Sequence, residues 1–222
     1  MKILVSLLFL VLGGAVAMGF FFQKNHSAVT EPIVIEATKK SNYELTKFSL
    51  EQAPADSIRG EIISLNGEVE WQSRTATEPG QLPGGIKIQQ GEKLVTKADG
   101  NMAIKLASAG TVTIFPDSEL EVIQTLPINL VFNQLKGKAQ YLVNGSSPVS
   151  VRSFNLIVNV KQGLIDIKTD SEAGKVTLSL KNGQATVAYN SPEFESKRWE
   201  LAPGDSFVFY NEERKGYFRA DL

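Results

Sequence analysis

Asp117, Glu119 and Glu121 alternate along one short stretch, so on a strand their carboxylates share a face. Carboxylate oxygens arranged this way are donors for a hard cation such as calcium. Calcium takes about 6–8 oxygens, and only three acids are in view. The same acids serve equally as a solvated face that keeps a sheet edge from pairing with other chains. Other chemistry is harder to assemble. The chain has no cysteine, and its one histidine, His26, precedes the β-rich region. Ser-His-Asp, Cys-His and multi-histidine zinc sets therefore cannot be built inside that region. Two carboxylates suffice for glycoside hydrolysis, but none of the 24 Asp and Glu residues stands apart from the rest. The residues predict no enzyme, no metal site and no cofactor.

A second set is aromatic. Trp71, Tyr141, Tyr189, Trp199, Phe207, Phe209, Tyr210, Tyr217 and Phe218 could contribute to a platform on which sugars stack, or could form core. Phe207 and Phe209 share a strand face and are expected inside. Tyr210, Tyr217 and Phe218 crowd the C-terminus, where the strand pattern runs out, and are the candidate partner surface.

The elements that must position these residues are strands. From Ile58 onward, short alternating runs of β-branched and aromatic residues recur between Gly and Asn/Asp. Asn66-Gly67 lies between Ile63-Ser64-Leu65 and Val69-Glu70-Trp71, and Asn182-Gly183 between Val176–Leu180 and Ala185–Val187. Both dipeptides supply the positive φ of a two-residue hairpin, and Asp99-Gly100 reads the same way. Glycine followed by alternating residues recurs irregularly at Gly110, Gly137, Gly163 and Gly183. The pattern predicts an all-β domain over 58–222, an irregular β-solenoid or β-roll of short strands turning at glycines. A two-sheet sandwich has the same texture. Glu78–Gly85, rich in Pro and Gly, is expected to be a surface loop.

Residues 23–57 are polar, mixed in charge and interrupted by Pro32 and Pro54, as in a flexible tether. Before them, Ile3–Phe22 carries no charge and is long enough to span a hydrocarbon core as a helix. Lys2 then stays cytoplasmic and the rest of the chain faces the periplasm or the outside. Ala15-Val16-Ala17 has the small-x-small form of a cleavage site, so a secreted product cut near Ala17 is the alternative. The chain has 23 Lys plus Arg against its 24 acids, and Lys2 alone precedes the apolar run, so the outer part carries a net −2. It offers no basic field to nucleic acid.

The order of phrases resembles the FecR-type extracytoplasmic domain family, over roughly Gly91 to Phe209. Gly91-Glu92-Lys93-Leu94-Val95-Thr96 is similar to its opening G-x-x-I-x-T strand. Ile104-Lys105-Leu106 with Gly110–Ile114, and then Pro116-Asp117-Ser118-Glu119-Leu120, resemble its paired strands and its P-x-S-x-L corner. Leu135–Tyr141, Val176–Val187 and Leu201-Ala202-Pro203-Gly204-Asp205 resemble the three later phrases. The departures are Ala109-Gly110 for the family's Asp-Gly turn, and Gly163–Ile167 without its threonine and aromatic.

The resemblance implies a β fold outside the cytoplasm and a role in signal transduction. FecR-type regulators also carry a cytoplasmic sigma-regulator domain and a lobe after the β domain that meets an outer-membrane transporter. Two residues precede the apolar run here, and about a dozen follow Phe209, so those activities are not expected to transfer. The expectation is a non-enzymatic, membrane-tethered sensing or protein-interaction module of the bacterial envelope. Its partner would be another envelope protein or a second copy of itself. The alternative is a carbohydrate- or cell-wall-binding scaffold.

Overall fold

Strict alternation decides which residues go inside. Val176, Leu178 and Leu180 are buried while Thr177 and Ser179 are not, and the same period runs through Met102–Leu106 and Leu164–Thr169. A computed structural model describes residues 53–219, which contain fifteen strands and no helix. No helix among these residues could therefore cross a membrane. The expected anchor, 1–22, and the tether up to residue 52 lie outside the described residues.

The strands are β1 (Gly60–Asn66), β2 (Val69–Gln72), β3 (Gly80–Gln81), β4 (Lys87–Ile88), β5 (Lys93–Thr96), β6 (Asn101–Leu106) and β7 (Gly110–Ile114). They continue as β8 (Glu119–Leu126), β9 (Asn129–Val143), β10 (Val149–Ser153), β11 (Leu156–Asp170) and β12 (Lys175–Asn190). The last three are β13 (Ser196–Leu201), β14 (Ser206–Tyr210) and β15 (Lys215–Arg219).

All fifteen join in one sheet. Three strands are long, at 15, 15 and 16 residues, and each changes partners midway. The first half of β9 pairs with β8 and β10, the second with β7 and β11. The first half of β12 pairs with β14, the second with β13. The pairing thus falls into two runs. One is β4-β1-β6-β7-β9-β11-β12-β14-β15, and the other is β3-β2-β5-β8-β9-β10-β11-β12-β13.

The long strands fold these runs over one another. On a straight strand Phe132 and Tyr141 would lie about 30 Å apart. Their rings are 5.9 Å apart, across the bend in β9. Trp199 of β13 meets Phe207 of β14 at 5.8 Å in the same way, from opposite runs. The buried side chains of both runs form a single core cluster.

The domain is all-β, as the alternation predicts. Its finer arrangement is a sheet doubled over, carried by three long strands rather than only short ones. Among the described residues β9 and β10 are the one parallel pair, and every other pairing is antiparallel.

The expected hairpins at asparagine-glycine are corrected. Asn182-Gly183 lies inside β12, whose true hairpin partner β11 is reached through the turn at 171–174. Gly163 and Gly183 face each other where β11 and β12 bend together, with register shifts beside them. A Cβ on Gly183 would lie 2.0 Å from the Gln162 carbonyl oxygen, and one on Gly163 would lie 2.0 Å from that of Asn182.

Asn66-Gly67 and Asp99-Gly100 form a second such corner. β1 and β2 do not pair with each other, nor do β5 and β6; in both places the chain crosses from one run to the other. A Cβ on Gly67 would lie 2.1 Å from the Asp99 oxygen, and one on Gly100 would lie 2.1 Å from that of Glu68. Glycine is needed at these corners because two backbones touch, a distance no side chain fits between.

Candidate interaction surface

The C-terminal strands place the aromatic residues by alternation. Phe207 and Phe209 point inward and are fully buried, as expected. Their neighbours Ser206, Val208 and Tyr210 take the opposite face. In β15, Tyr217 is in register with Val208, Lys215 with Tyr210 and Arg219 with Ser206, so these residues share that outer face. Lys175 of β12 is in register with Tyr210 on the other side.

Tyr210 and Tyr217 are 37% and 52% exposed, and their rings meet edge to face at 6.5 Å. The Lys175 ammonium lies 5.6 Å from the Tyr210 ring centre. Together with Arg219 they line a groove of about 370 Å³.

By alternation Phe218 takes the other side of β15, although it also lines the rim of the groove. It is in register with Phe207 and meets its ring at 5.5 Å in a T-shaped contact. It is 46% exposed and touches the core through the Phe207 ring. The structure therefore places all three expected aromatics around one groove, Tyr210 and Tyr217 on its outer face and Phe218 at its rim against Phe207.

Lys175 is the member of this surface that sequence reasoning missed. It lies 35 positions before Tyr210, and only the β12–β14 register makes them neighbours. Phe194, 79% exposed with φ 62°, was missed as well. Arg214 of the β14–β15 turn lies 5.9 Å over its ring.

The remaining aromatics of the possible stacking platform are largely core. Tyr141 is fully buried and Tyr189 nearly so, and Trp71 and Trp199 pack against the core cluster. Burial raises the Tyr141 phenol well above its usual range, so it stays neutral.

The acids that could take a cation are spoken for in part. Glu119 bridges Lys93 at 2.7 Å, and Glu121 accepts a hydrogen bond from the Asn133 amide at 2.7 Å. Asp117 sits in the turn before β8 with φ 55°. Among the described residues no group of three acids or histidines is arranged to hold a metal ion.

One buried acid stands out. Glu92 accepts a hydrogen bond from the Gln89 amide at 2.8 Å. Burial raises its pKa above the ordinary carboxylate range, opposed in lesser measure by the Gln89 N–H, the Trp71 indole and the Arg74 charge. A folded pKa above the unfolded one means that the native state holds the proton more tightly. Its contribution to stability is present below the unfolded pKa and lost as pH rises through the folded one. Glu92→Gln is therefore expected to gain stability relative to the parent as pH climbs from the ordinary glutamate range to neutrality. Denaturation midpoints at pH 4, 5, 6 and 7 check this, and parallel curves for the two proteins would refute it.

No protein-family model matches this chain, and neither does any curated protein. Two solved structures are similar to it in part, both described as candidate anti-sigma factors from Parabacteroides distasonis ATCC 8503. The one solved at 1.65 Å is 16% identical, with a TM-score of 0.48 over 57% of this chain and 58% of that one. The one at 2.50 Å is 20% identical, with a TM-score of 0.37 over 56% and 53%. The match spans a little over half of each structure. At that level it carries no statement about activity.

Proposed function

We propose that this chain is a non-enzymatic, membrane-tethered extracytoplasmic module of the bacterial envelope, FecR-like in organisation, that captures a protein partner through the Tyr210–Tyr217 face. The observation that carries the reading is that face itself. Two exposed tyrosines touch at a sheet end, flanked by Lys175, Lys215 and Arg219. Tyrosine and arginine are enriched in protein interfaces, where rings provide contact area at the centre and charged groups at the rim help select the partner. The partner that fits has an apolar or aromatic contact ringed by acidic residues. With a net charge of −2 beyond the apolar run, the chain supplies little long-range steering, so contact and shape dominate recognition.

The test separates the two faces of β15. A photo-crosslinker placed at Tyr217 in the full-length chain in cells is expected to trap an envelope protein, and Tyr210→Ala with Tyr217→Ala is expected to reduce capture at least tenfold. Both tyrosines are exposed, so the variant should stay within about 1 kcal/mol of the parent in stability. Phe218→Ala should do the opposite, costing roughly 1–2 kcal/mol while its outer face still captures the partner. Unchanged capture by the double variant would refute the reading. Recovery of glycan strands instead of protein would move it to wall binding.

A further inference from the structure

One exposed aromatic stands at a turn tip and not on a strand. Phe194 lies in the β12–β13 turn, 79% exposed, with φ 62°. A bulky side chain is strained in that region of backbone space and persists there only where its surroundings impose it. Ser191 imposes it here. Its carbonyl accepts from the Phe194 N–H at 2.9 Å, its hydroxyl accepts from the Glu195 N–H at 3.3 Å, and its own N–H donates to the Glu195 carbonyl at 2.9 Å. The tip is therefore preorganised, which lowers the cost of binding through it.

The tip is acidic. Glu193 and Glu195 flank Phe194, and Glu212 and Glu213 precede Arg214, whose guanidinium lies over the ring. Lys197 bridges Glu195. The Ser191 hydroxyl, its own amide and then the Lys215 and Lys197 charges hold the Glu193 carboxyl below its usual range, so it is ionised at neutral pH. The groove beside Tyr210 and Tyr217 has the opposite sign. It is lined by the two tyrosines, Val208 and Phe218 together with Lys175 and Arg219, and Lys215 shares its face. Asp170, in register with Lys175, accepts a hydrogen bond from the Ala173 amide of its own turn. An aromatic knob between two carboxylates thus matches an aromatic slot between cations.

Taking the proposed partner face as given, we infer that its occupant is a second copy of this chain, whose Glu193-Phe194-Glu195 tip enters the groove. The tip does not line the groove of its own chain. The two nevertheless adjoin, since Arg214, over Phe194, directly precedes Lys215, the residue in register with Tyr210. A two-fold axis beside them lets each copy give its tip and receive its partner's. That doubles a contact small by itself and closes the assembly at two.

The photo-crosslinker at Tyr217 in the full-length chain in cells is then expected to give a dimer of this chain, its link mapped by mass spectrometry to the peptide containing residues 193–195. Phe194→Ala should reduce that dimer roughly tenfold, as for loss of one anchoring side chain. Its melting temperature should not change, because the ring is exposed. Charge reversal supplies the second arm. Glu193→Lys with Glu195→Lys, and separately Lys175→Glu with Arg219→Glu, should each lose the dimer by like-charge repulsion. Two differently tagged chains carrying one pair each restore both contacts and should regain it as the mixed species. A Tyr217 link to another envelope protein, unaltered by Phe194→Ala, overturns the second copy as occupant and leaves the partner face standing. A dimer linked at another peptide, or no rescue in the mixed pair, overturns it as well. Capture unchanged by Tyr210→Ala with Tyr217→Ala would instead overturn the face itself.

Discussion

Gly183→Val will cost about 4 kcal/mol of stability or more, a large fraction of the roughly 5–15 kcal/mol that a domain has to lose. The backbone at Gly183 has φ 90°, where a β-branched residue alone carries about 1–3 kcal/mol of strain. The new Cβ would also meet the Gln162 carbonyl oxygen at 2.0 Å and Gly163 Cα at 2.5 Å. Neither neighbour is a flexible side chain that can swing aside. β11 and β12 must separate at the bend, and their pairing on both sides of it is the longest in the fold. Gly204→Ala supplies the contrast. Its φ is 94°, but nothing lies within 4 Å of the added Cβ, so only the conformational cost of about 1–2 kcal/mol remains. Urea denaturation of the solubilised chain, followed by tryptophan fluorescence, compares the two. Equal losses would show that the backbone contact is not what defines the corner.

Gln134→Leu is expected to cost about 3–5 kcal/mol, counting roughly 1–3 kcal/mol for each buried polar group left without a partner. Gln134 is buried at the bend of β9. Its amide nitrogen donates to the Gly137 and Ile167 carbonyls, both at 2.9 Å, and its oxygen accepts from the Tyr141 hydroxyl at 3.0 Å. One side chain thereby holds both halves of β9 and the second half of β11. Leucine fills the space and satisfies none of the three. The sign of a second substitution makes the argument specific. Tyr141→Phe in the parent should cost about 1 kcal/mol, the value of one hydrogen bond. In the Gln134→Leu background it removes an orphaned hydroxyl and should be neutral or stabilising. Additive losses in that double-mutant cycle would refute the network.

Much of this molecule is legible in its residues. A period of two over Val176–Leu180, Met102–Leu106 and Phe207–Phe209 determines strand class and which side chains go inside, because adjacent residues on a strand must face opposite ways. The same rule separates Tyr217 from Phe218, since neighbours cannot share a face. Which of the two meets a core ring depends on Phe207 standing opposite Phe218, and that is a fact of the β14–β15 register.

Asparagine-glycine and aspartate-glycine mark where the backbone must turn sharply, and it does turn at Gly67 and Gly183. They do not distinguish a hairpin from a corner. The local conformational demand is the same in both, and the difference is which distant strand arrives to pair. Gly183 sits at a bend because Gly163, twenty residues earlier, lets two backbones touch there. Lys175 likewise joins Tyr210, and Gln134 joins Tyr141 and Ile167, only once the strands have doubled over. Burial and strand class follow from nearest-neighbour alternation and can be read along the chain. Corners, buried polar links and the composition of a surface depend on contacts between distant residues, which only the tertiary structure decides.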